Sequence, residues 1–244
     1  MFKISLDGQI VNYSLSINQN QRAIKITVIS ANQLAISTPA NCSPATVEAI
    51  IRRKNRWIIN RLAAISKAAA NPVNKSLTAG AKVLYHGDVY LLNIKPTVNN
   101  RLSVNILPDR QLEVMIPANY RHNAAYLQNG LRQWYIAQAK VEFLLLTDFW
   151  QKKIRVRPKI IAIRAQKTRW GSCSGRGNIS YNWRVIMAPR SVADYLVVHE
   201  LCHLRLLNHS PEFWQLVKSF MPEYHQQRNW LKENDLLLNS FLTR

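Results

Sequence analysis

Two stretches of the chain alternate apolar and polar residues in the same order, with an offset of 78 positions. The alternating segment 24–28 aligns with 102–106, and both stretches then end in Pro-Ala-Asn, at 39–41 and 117–119. A period of two is typical of half-buried strands, and the proline and asparagine end the last strand of each unit. We therefore predict two related units, each a small antiparallel sheet followed by a helix.

A helical pattern follows the first sheet. Ser43 and Pro44 are typical of an N-cap and a first helical position, and apolar residues then recur with helical spacing to about Ala70. The segment Ala69–Gly80 contains Asn-Pro, Ser and Gly and predicts a linker. On this basis we predict an N-terminal sheet-plus-helix unit at 1–75, a second sheet unit at 76–122 and a C-terminal domain at 123–244.

The sequence predicts a mixture of helices and strands in the C-terminal domain. A long apolar helix is predicted from about Asn123 to Trp150, with enough apolar coverage to pack inside the domain. The strands Lys159–Arg164 and Asn178–Met187 flank a loop rich in Gly and Ser, which predicts a hairpin. Ser191, with Asp194 three positions later, is typical of a capping box that starts the next helix. The predicted fold class is α+β.

That next helix carries the motif HExxH, formed by His199, Glu200 and His203. Two histidines four residues apart lie on one helical face about one turn from each other, close enough to share a metal ion. Glu200 is offset by about 100° around the helix and can stand beside the metal without binding it. This placement suits a general base.

A catalytic zinc ion normally has three protein ligands, and His209 supplies a candidate third. In a continuous helix His209 would lie about 9 Å beyond His203 along the axis, so the helix has to end between them. Asn208 tolerates left-handed geometry, while Ser210 and Pro211 are typical of the start of a new helix. The sequence therefore predicts a turn where the third ligand requires one.

Three imidazoles and an open position favour zinc as the cofactor, although cobalt, nickel or manganese bind such sites in vitro. Zinc lowers the pKa of a bound water toward about 7, and Glu200 would take its proton before attack on a carbonyl group. The leading prediction is a hydrolase that cleaves peptide bonds. The alternative structural interpretation makes His199 and His203 core residues of a buried helix, which would then need separate hydrogen-bond partners.

With residues 168–173 (TRWGSC) before it and 210–214 (SPEFW) after it, the segment His199–His209 resembles the YgjP-like metallopeptidase family, which is related to SprT-type and WLM-type proteases. The resemblance implies a zincin-like catalytic domain with an HExxH helix and a third histidine in the next turn. The metzincins share the ligand spacing, but Leu206 replaces their glycine. They are therefore disfavoured.

Residues for substrate binding are less strongly indicated. The resemblance favours Trp170, Gly171 and Ser172 as lining the cleft. Tyr181 or Asn182, on the adjoining strand, is a candidate for stabilising the oxyanion. Two cysteines lie near these residues. Cys202, between the candidate ligands, is an alternative thiolate ligand, whereas Cys173 lacks a dedicated base and is interpreted as a packing residue.

The net charge of +20 changes the range of expected partners. Residues 121–190 hold 14 basic and 2 acidic side chains, including the run 152–159, which we interpret as an exposed strand edge with one basic face. A surface with this much positive charge attracts polyanions. Nucleic acid is therefore a candidate partner in addition to a peptide or protein substrate. No apolar run exceeds four residues, against about 20 for a membrane span. Without a secretory pattern, we expect a cytoplasmic protein.

Three function hypotheses remain at this point. The first is a zinc peptidase. Because SprT-type relatives act on proteins bound to DNA, this hypothesis includes a protease for DNA-bound proteins. The second is a nucleic-acid-binding module with a structural metal, and the third is a metal-dependent amidase for small molecules. The pattern specifies no oligomeric state.

Overall fold

The computed structural model describes residues 1–30, 32–70 and 77–242. The chain divides into two units, Met1–Asn71 and Pro72–Arg244. The predicted boundary between residues 75 and 76, and residues 71–76 of the predicted linker, lie outside the described residues.

The first unit contains one four-stranded sheet. Its strands are β1 (Phe2–Leu6), β2 (Gln9–Ile17), β3 (Lys25–Ser30) and β4 (Gln33–Thr38), in the order β1-β2-β4-β3. Alternate residues point to a core that also receives the helices α1 (Pro44–Arg53) and α2 (Asn55–Ala70). As predicted, the Ser43 side chain accepts a hydrogen bond from the Thr46 amide and caps α1.

The second unit begins with a sheet of the same strand order. Its strands are β5 (Lys82–Tyr85), β6 (Asp88–Thr97), β7 (Ser103–Leu107) and β8 (Gln111–Pro117), in the order β5-β6-β8-β7. The prediction that both sheets are antiparallel is wrong in one respect. The central pairs, β2 with β4 and β6 with β8, are parallel. Alternation reports the face that a residue occupies and is the same for either strand direction.

A 31-residue helix, α3 (Ala124–Ile154), packs in the core that holds the second sheet. Its buried positions Leu127, Leu131, Tyr135 and Phe143 are spaced by multiples of four, so they form one stripe along the helix. The opposite face is exposed, so α3 packs inside the domain, as predicted, with one of its faces. The apolar stripe of α3 and the second sheet belong to one core. The predicted boundary between residues 122 and 123 therefore does not separate two domains.

A third, smaller sheet follows α3. Its strands are β9 (Ile160–Arg164), β10 (Gly171–Cys173) and β11 (Asn178–Asn182), in the order β10-β11-β9. The predicted hairpin between β9 and β11 is wrong, because these strands are parallel and the hairpin is formed by β10 and β11. The predicted second strand is also shorter than expected: residues 183–187 form a 3-10 helix. Three-residue β10 lies inside the predicted loop, where its pattern is too short to detect.

The basic run 152–159 has a different structure from the predicted strand edge. Lys152 and Lys153 lie in the last turn of α3, and Arg155 ends the helix in the left-handed conformation. Lys152 pairs with Asp148 at 2.6 Å, while the Lys153 ammonium lies 4.2 Å from the centre of the Phe149 ring. Cationic side chains near a helix C-terminus are favoured by the helix dipole, which accounts for part of this run.

Four helices in the described residues complete the second unit: α4 (Arg190–Cys202), α5 (Pro211–Phe220), α6 (Tyr224–Glu233) and α7 (Asp235–Ser240). The mixture of sheets and helices agrees with the predicted α+β class. In the described part of the chain, no helix combines the length and the apolar character needed to cross a bilayer.

Candidate metal centre

The helix α4 supports the candidate site and is buried on almost all sides. Its buried apolar residues are Val192, Ala193, Tyr195, Leu196, Val197, Val198, Leu201 and Cys202. Two contacts with α3 fix its first turns: Glu142 accepts two hydrogen bonds from Arg190, and Trp150 donates to Asp194 at 2.7 Å. The predicted capping box is therefore wrong, because Asp194 serves this contact and α4 begins at Arg190 without a side-chain cap.

The chain turns immediately after α4. His203 is the C-cap, and its amide donates to the His199 carbonyl. Ser210 then caps α5, because its hydroxyl accepts from the Phe213 amide, and Pro211 is the first helical residue. The predicted end of the helix is confirmed, and the short connection brings His209 back toward the end of α4.

Three imidazole nitrogens converge at this turn. The Nε2 atom of His203 lies 3.2 Å from Nε2 of His199 and 3.2 Å from Nε2 of His209, and the remaining side of the triangle measures 3.1 Å. Of the described residues, these three form the group of His, Cys, Asp and Glu side chains whose ligand atoms are placed to hold a metal ion. The structure therefore brings together the three predicted ligands.

Hydrogen bonding fixes how His203 faces the others. Its Nδ1 lies 2.9 Å from the carbonyl oxygen of Leu206. A carbonyl only accepts, so Nδ1 carries the proton and the lone pair of Nε2 points to the centre of the triangle. Ring nitrogens gathered around one point in this way cannot all donate to one another, but they can all bind one cation.

Burial favours the neutral form of His199 and His203. The pKa of His199 is lowered to about 3, first by burial and then by the positive charges of His203, His209 and Arg228. The pKa of His203 is also lowered, mainly by burial. A metal ion binds the neutral form of histidine, so the protonation states agree with the geometry.

Glu200 lies beside the triad and is 4% exposed. Burial raises its pKa to about 8, and the positive charge of Arg169 opposes part of that rise. Its Oε2 atom is buried and has no hydrogen-bond partner in the described residues. A buried carboxyl oxygen without a partner is costly, and it is therefore a feature expected where a ligand or a reacting group binds.

A cleft of about 530 Å³ opens above His199 and Glu200. It is lined by Trp170 from the loop before β10, by Gly171 from β10 and by residues of α4 and α6: Tyr195, Leu196, His199, Glu200, Arg228, Asn229, Leu231 and Lys232. Two of the predicted substrate residues, Trp170 and Gly171, are in this lining. Tyr195 precedes His199 by four residues, so the sequence places both side chains on the same face of α4.

The other predicted substrate residues make contacts inside the fold. Ser172 and Ser180 share a hydrogen bond of 2.7 Å between their hydroxyls, across the β10–β11 pair. Asn182 is 0% exposed, and its amide donates to the carbonyls of Gln166 and Arg169. Asn182 therefore holds the loop that leads to Trp170.

Three further candidates for chemistry are also buried or inert. Tyr181 is fully buried, stacks on Phe143 and shares a hydrogen bond of 3.1 Å with Thr147. Burial raises the pKa of the Cys173 thiol to about 11 and that of Cys202 to about 12, so both remain protonated near neutral pH.

Sequence reasoning missed Arg228 and Lys232. They lie on α6, well beyond the histidine motif along the chain. No local pattern connects α6 with the motif, and only the packing of α6 on α4 brings these side chains to the cleft.

The chain is similar to one family model and to two solved structures. A family model for the YgjP-like metallopeptidase domain matches residues 22–234. The metallopeptidase zymogen abylysin of Pyrococcus abyssi is 20% identical over 37% of this chain and 93% of its own, with a TM-score of 0.35. The metallopeptidase zymogen jannalysin of Methanocaldococcus jannaschii is 17% identical over 38% of this chain and 95% of its own, with a TM-score of 0.34.

No curated protein matches the chain. The family match spans most of the sequence and confirms the resemblance noted from the motifs. The chain belongs to the YgjP-like metallopeptidase family.

Proposed function

We propose that this protein is a zinc-dependent peptidase in which His199, His203 and His209 hold the metal and Glu200 is the general base. The observation that carries the proposal is the triangle of Nε2 atoms with sides of 3.1–3.2 Å. Zinc–nitrogen bonds of about 2.0–2.1 Å in tetrahedral geometry place neighbouring ligand atoms about 3.3–3.4 Å apart. The donor set and its spacing both fit this ion.

When bound, zinc would lower the pKa of a water molecule and polarise the carbonyl group of the substrate. The protein's own contribution is proton transfer and positioning. Glu200 would accept the proton of the attacking water at Oε2, the oxygen that has no partner in the described residues, and deliver it to the nitrogen of the leaving amine. Gly171 and Trp170 would line the cleft beside Glu200.

The neighbouring rings keep the ligands in place. The His203 ring stacks on Phe213 with centroids 4.3 Å apart, and the His209 ring stacks on Trp214 at 5.4 Å. The hydrogen bond from His203 to the Leu206 carbonyl holds the correct tautomer. Both aromatic residues belong to α5, so the start of this helix supports the metal ligands as well as carrying the chain away from them.

The test combines metal analysis with one substitution. The purified protein should contain about one zinc ion per chain. Glu200→Gln should retain the metal, because Glu200 is not a ligand in this proposal. It should lower the hydrolysis of a mixed peptide library by roughly 100-fold to 10,000-fold, the usual contribution of a general base.

Glu233→Gln provides the matched control, since it makes the same chemical change at an exposed position at the end of α6. This variant should behave like the wild type in both assays. A protein without a stoichiometric transition metal, or a Glu200→Gln variant with full activity, would contradict the proposal. Retention of zinc with no change in any activity would instead favour a structural metal.

A further inference from the structure

Two cationic side chains face the cleft from α6. Arg228 and Lys232 are four residues apart, so they lie on one face of the helix about one turn from each other. Both line the same cleft as Glu200 and His199. They are exposed to solvent, and a molecule that enters the cleft can therefore reach them.

The position of Arg228 is fixed by an aromatic stack. Its guanidinium carbon lies 4.4 Å from the centre of the Trp214 ring. Trp214 in turn stacks on His209, with an angle of 23° between the ring planes, and on Tyr224, with an angle of 12°. A guanidinium held in this way against an aromatic ring loses little further freedom when it binds an anion. The stack also connects Arg228 to a candidate metal ligand.

Neither cation has an ion-pair partner among the described residues. Arg190 and Lys152, by contrast, are paired with Glu142 and Asp148. The lining of the cleft, as far as the structure describes it, has a single acidic side chain, that of Glu200 on α4. Like charges four residues apart on a helix repel each other, and a bound anion would relieve that repulsion.

We propose that Arg228 and Lys232 form a carboxylate-binding subsite, and that the cleft selects peptides with a carboxylate close to the scissile bond. Arginine binds a carboxylate through two parallel N–H donors, and lysine adds a compact positive charge. The carboxylate belongs either to an acidic side chain or to the free C-terminus of the peptide. The inference rests on the proposed peptidase function, because it assigns the specificity of that site.

Direct binding tests the subsite without relying on turnover. The probes are octapeptides with acetylated and amidated ends that differ only in Glu or Gln at one position, together with the Gln peptide bearing a free C-terminal carboxylate. Binding to zinc-loaded Glu200→Gln protein is followed by titration calorimetry. We expect the Glu peptide or the free-carboxylate peptide to bind about tenfold to a hundredfold more tightly than the neutral peptide, the range for charge-assisted hydrogen bonds.

Variants of Arg228 and Lys232 then identify the residues responsible. Arg228→Glu should abolish or reverse the preference for the carboxylate peptide, and Lys232→Gln should reduce it. Arg228→Lys keeps the charge but loses the planar fork, so it should retain part of the preference. The matched control is Lys218→Glu, which makes the same charge change on the exposed side of α5 and should leave the preference unchanged.

The two carboxylate sources give different results. A side-chain subsite favours the Glu peptide with blocked ends, whereas a C-terminal subsite favours the free-carboxylate peptide. Equal binding of all three peptides, or a preference that survives Arg228→Glu in a folded variant, would overturn the inference. Folding of the variant is checked by circular dichroism and by its zinc content.

Failure of the proposed function would look different from failure of the subsite. If the wild type hydrolyses peptides without selecting those with a carboxylate, the subsite assignment is wrong and the peptidase function stands. If no peptide is hydrolysed by the wild type but the carboxylate preference in binding persists and depends on Arg228, the subsite stands and the peptidase function is wrong.

Discussion

Gly171 packs directly against the carboxyl group of Glu200. A Cβ atom at Gly171 would lie 2.8 Å from both Cγ and Cδ of Glu200, and closer still to Oε1. Gly171 belongs to β10 and pairs with Tyr181 of β11, so its backbone is held by the sheet. Glycine therefore leaves the space that the Glu200 carboxyl group occupies.

Gly171→Ala should displace this carboxyl group and weaken catalysis. The added methyl group cannot be accommodated without a shift of Glu200, and a general base loses efficiency when it is moved away from its proton donor. We expect kcat/KM for peptide hydrolysis to fall by about tenfold to a hundredfold, with the zinc content unchanged.

Gly175→Ala is the control for this prediction. Gly175 lies in the turn between β10 and β11, and a Cβ there would meet nothing within 4 Å. Its variant should keep the activity of the wild type. If Gly171→Ala retained full kcat/KM, the position of Glu200 would not limit the reaction.

The convergence of the three histidines was predictable from the sequence because each step is local. Residues four apart in a helix share a face, and Ser210-Pro211 marks the start of a new helix, so His209 had to lie near the end of α4. The helical break follows from residue types that stand next to the ligands. Local signals of this kind survive in a single sequence.

Strand direction and distant contacts were not predictable. Alternation in β2 and β4 reports the buried face and does not distinguish a parallel from an antiparallel pair. The contact between Gly171 and Glu200 joins residues far apart in the sequence, and it depends on how β10 packs on α4. The exposed apolar residues Val141 (58%) and Leu145 (63%) similarly made α3 look more buried than it is.

Removal of the metal should lower the thermal stability of the second unit. The three ligands lie at the end of α4 and in the turn that follows, so a bound ion connects these segments in the folded state. At free zinc 1,000-fold above its Kd, linkage adds about 4 kcal/mol to the free energy of unfolding. For a unit of this size we expect a chelator to lower Tm by roughly 8–16 °C.

Tryptophan fluorescence is a suitable probe of this change, because Trp57 is the only tryptophan in the sequence before residue 72. Addition of zinc after removal of the chelator should restore the original Tm. A melting temperature that is the same with zinc and with chelator would argue against a metal site at the triad.

His209→Ala should weaken zinc binding while leaving the fold intact. His209 is exposed, so its truncation creates no cavity, but the site then has two protein ligands instead of three. We expect the Kd for zinc, measured by competition with a chromophoric chelator, to rise by at least about a hundredfold. His225→Ala removes an exposed histidine of α6 and should bind zinc like the wild type. Equal affinity in the two variants would remove His209 from the ligand set.

Asn182→Asp tests whether the loop before β10 depends on a single buried amide. The Asn182 side chain donates to the carbonyls of Gln166 and Arg169, at 2.7 and 3.3 Å. An aspartate of the same shape would keep the hydrogen bond that the Asn182 Oδ1 atom accepts from the Arg184 amide. Its second oxygen, however, would face the two carbonyl acceptors in a position without solvent, and a buried charge placed against acceptors is strongly destabilising. We expect the free energy of unfolding, measured with urea, to fall by about 3 kcal/mol. Asn99→Asp makes the same change in an exposed turn and should have little effect. Because the loop carries Trp170 to the cleft, Asn182→Asp should also raise KM for peptides at temperatures where the variant remains folded. If its free energy of unfolding equalled that of the Asn99→Asp control, the loop would be held by other contacts.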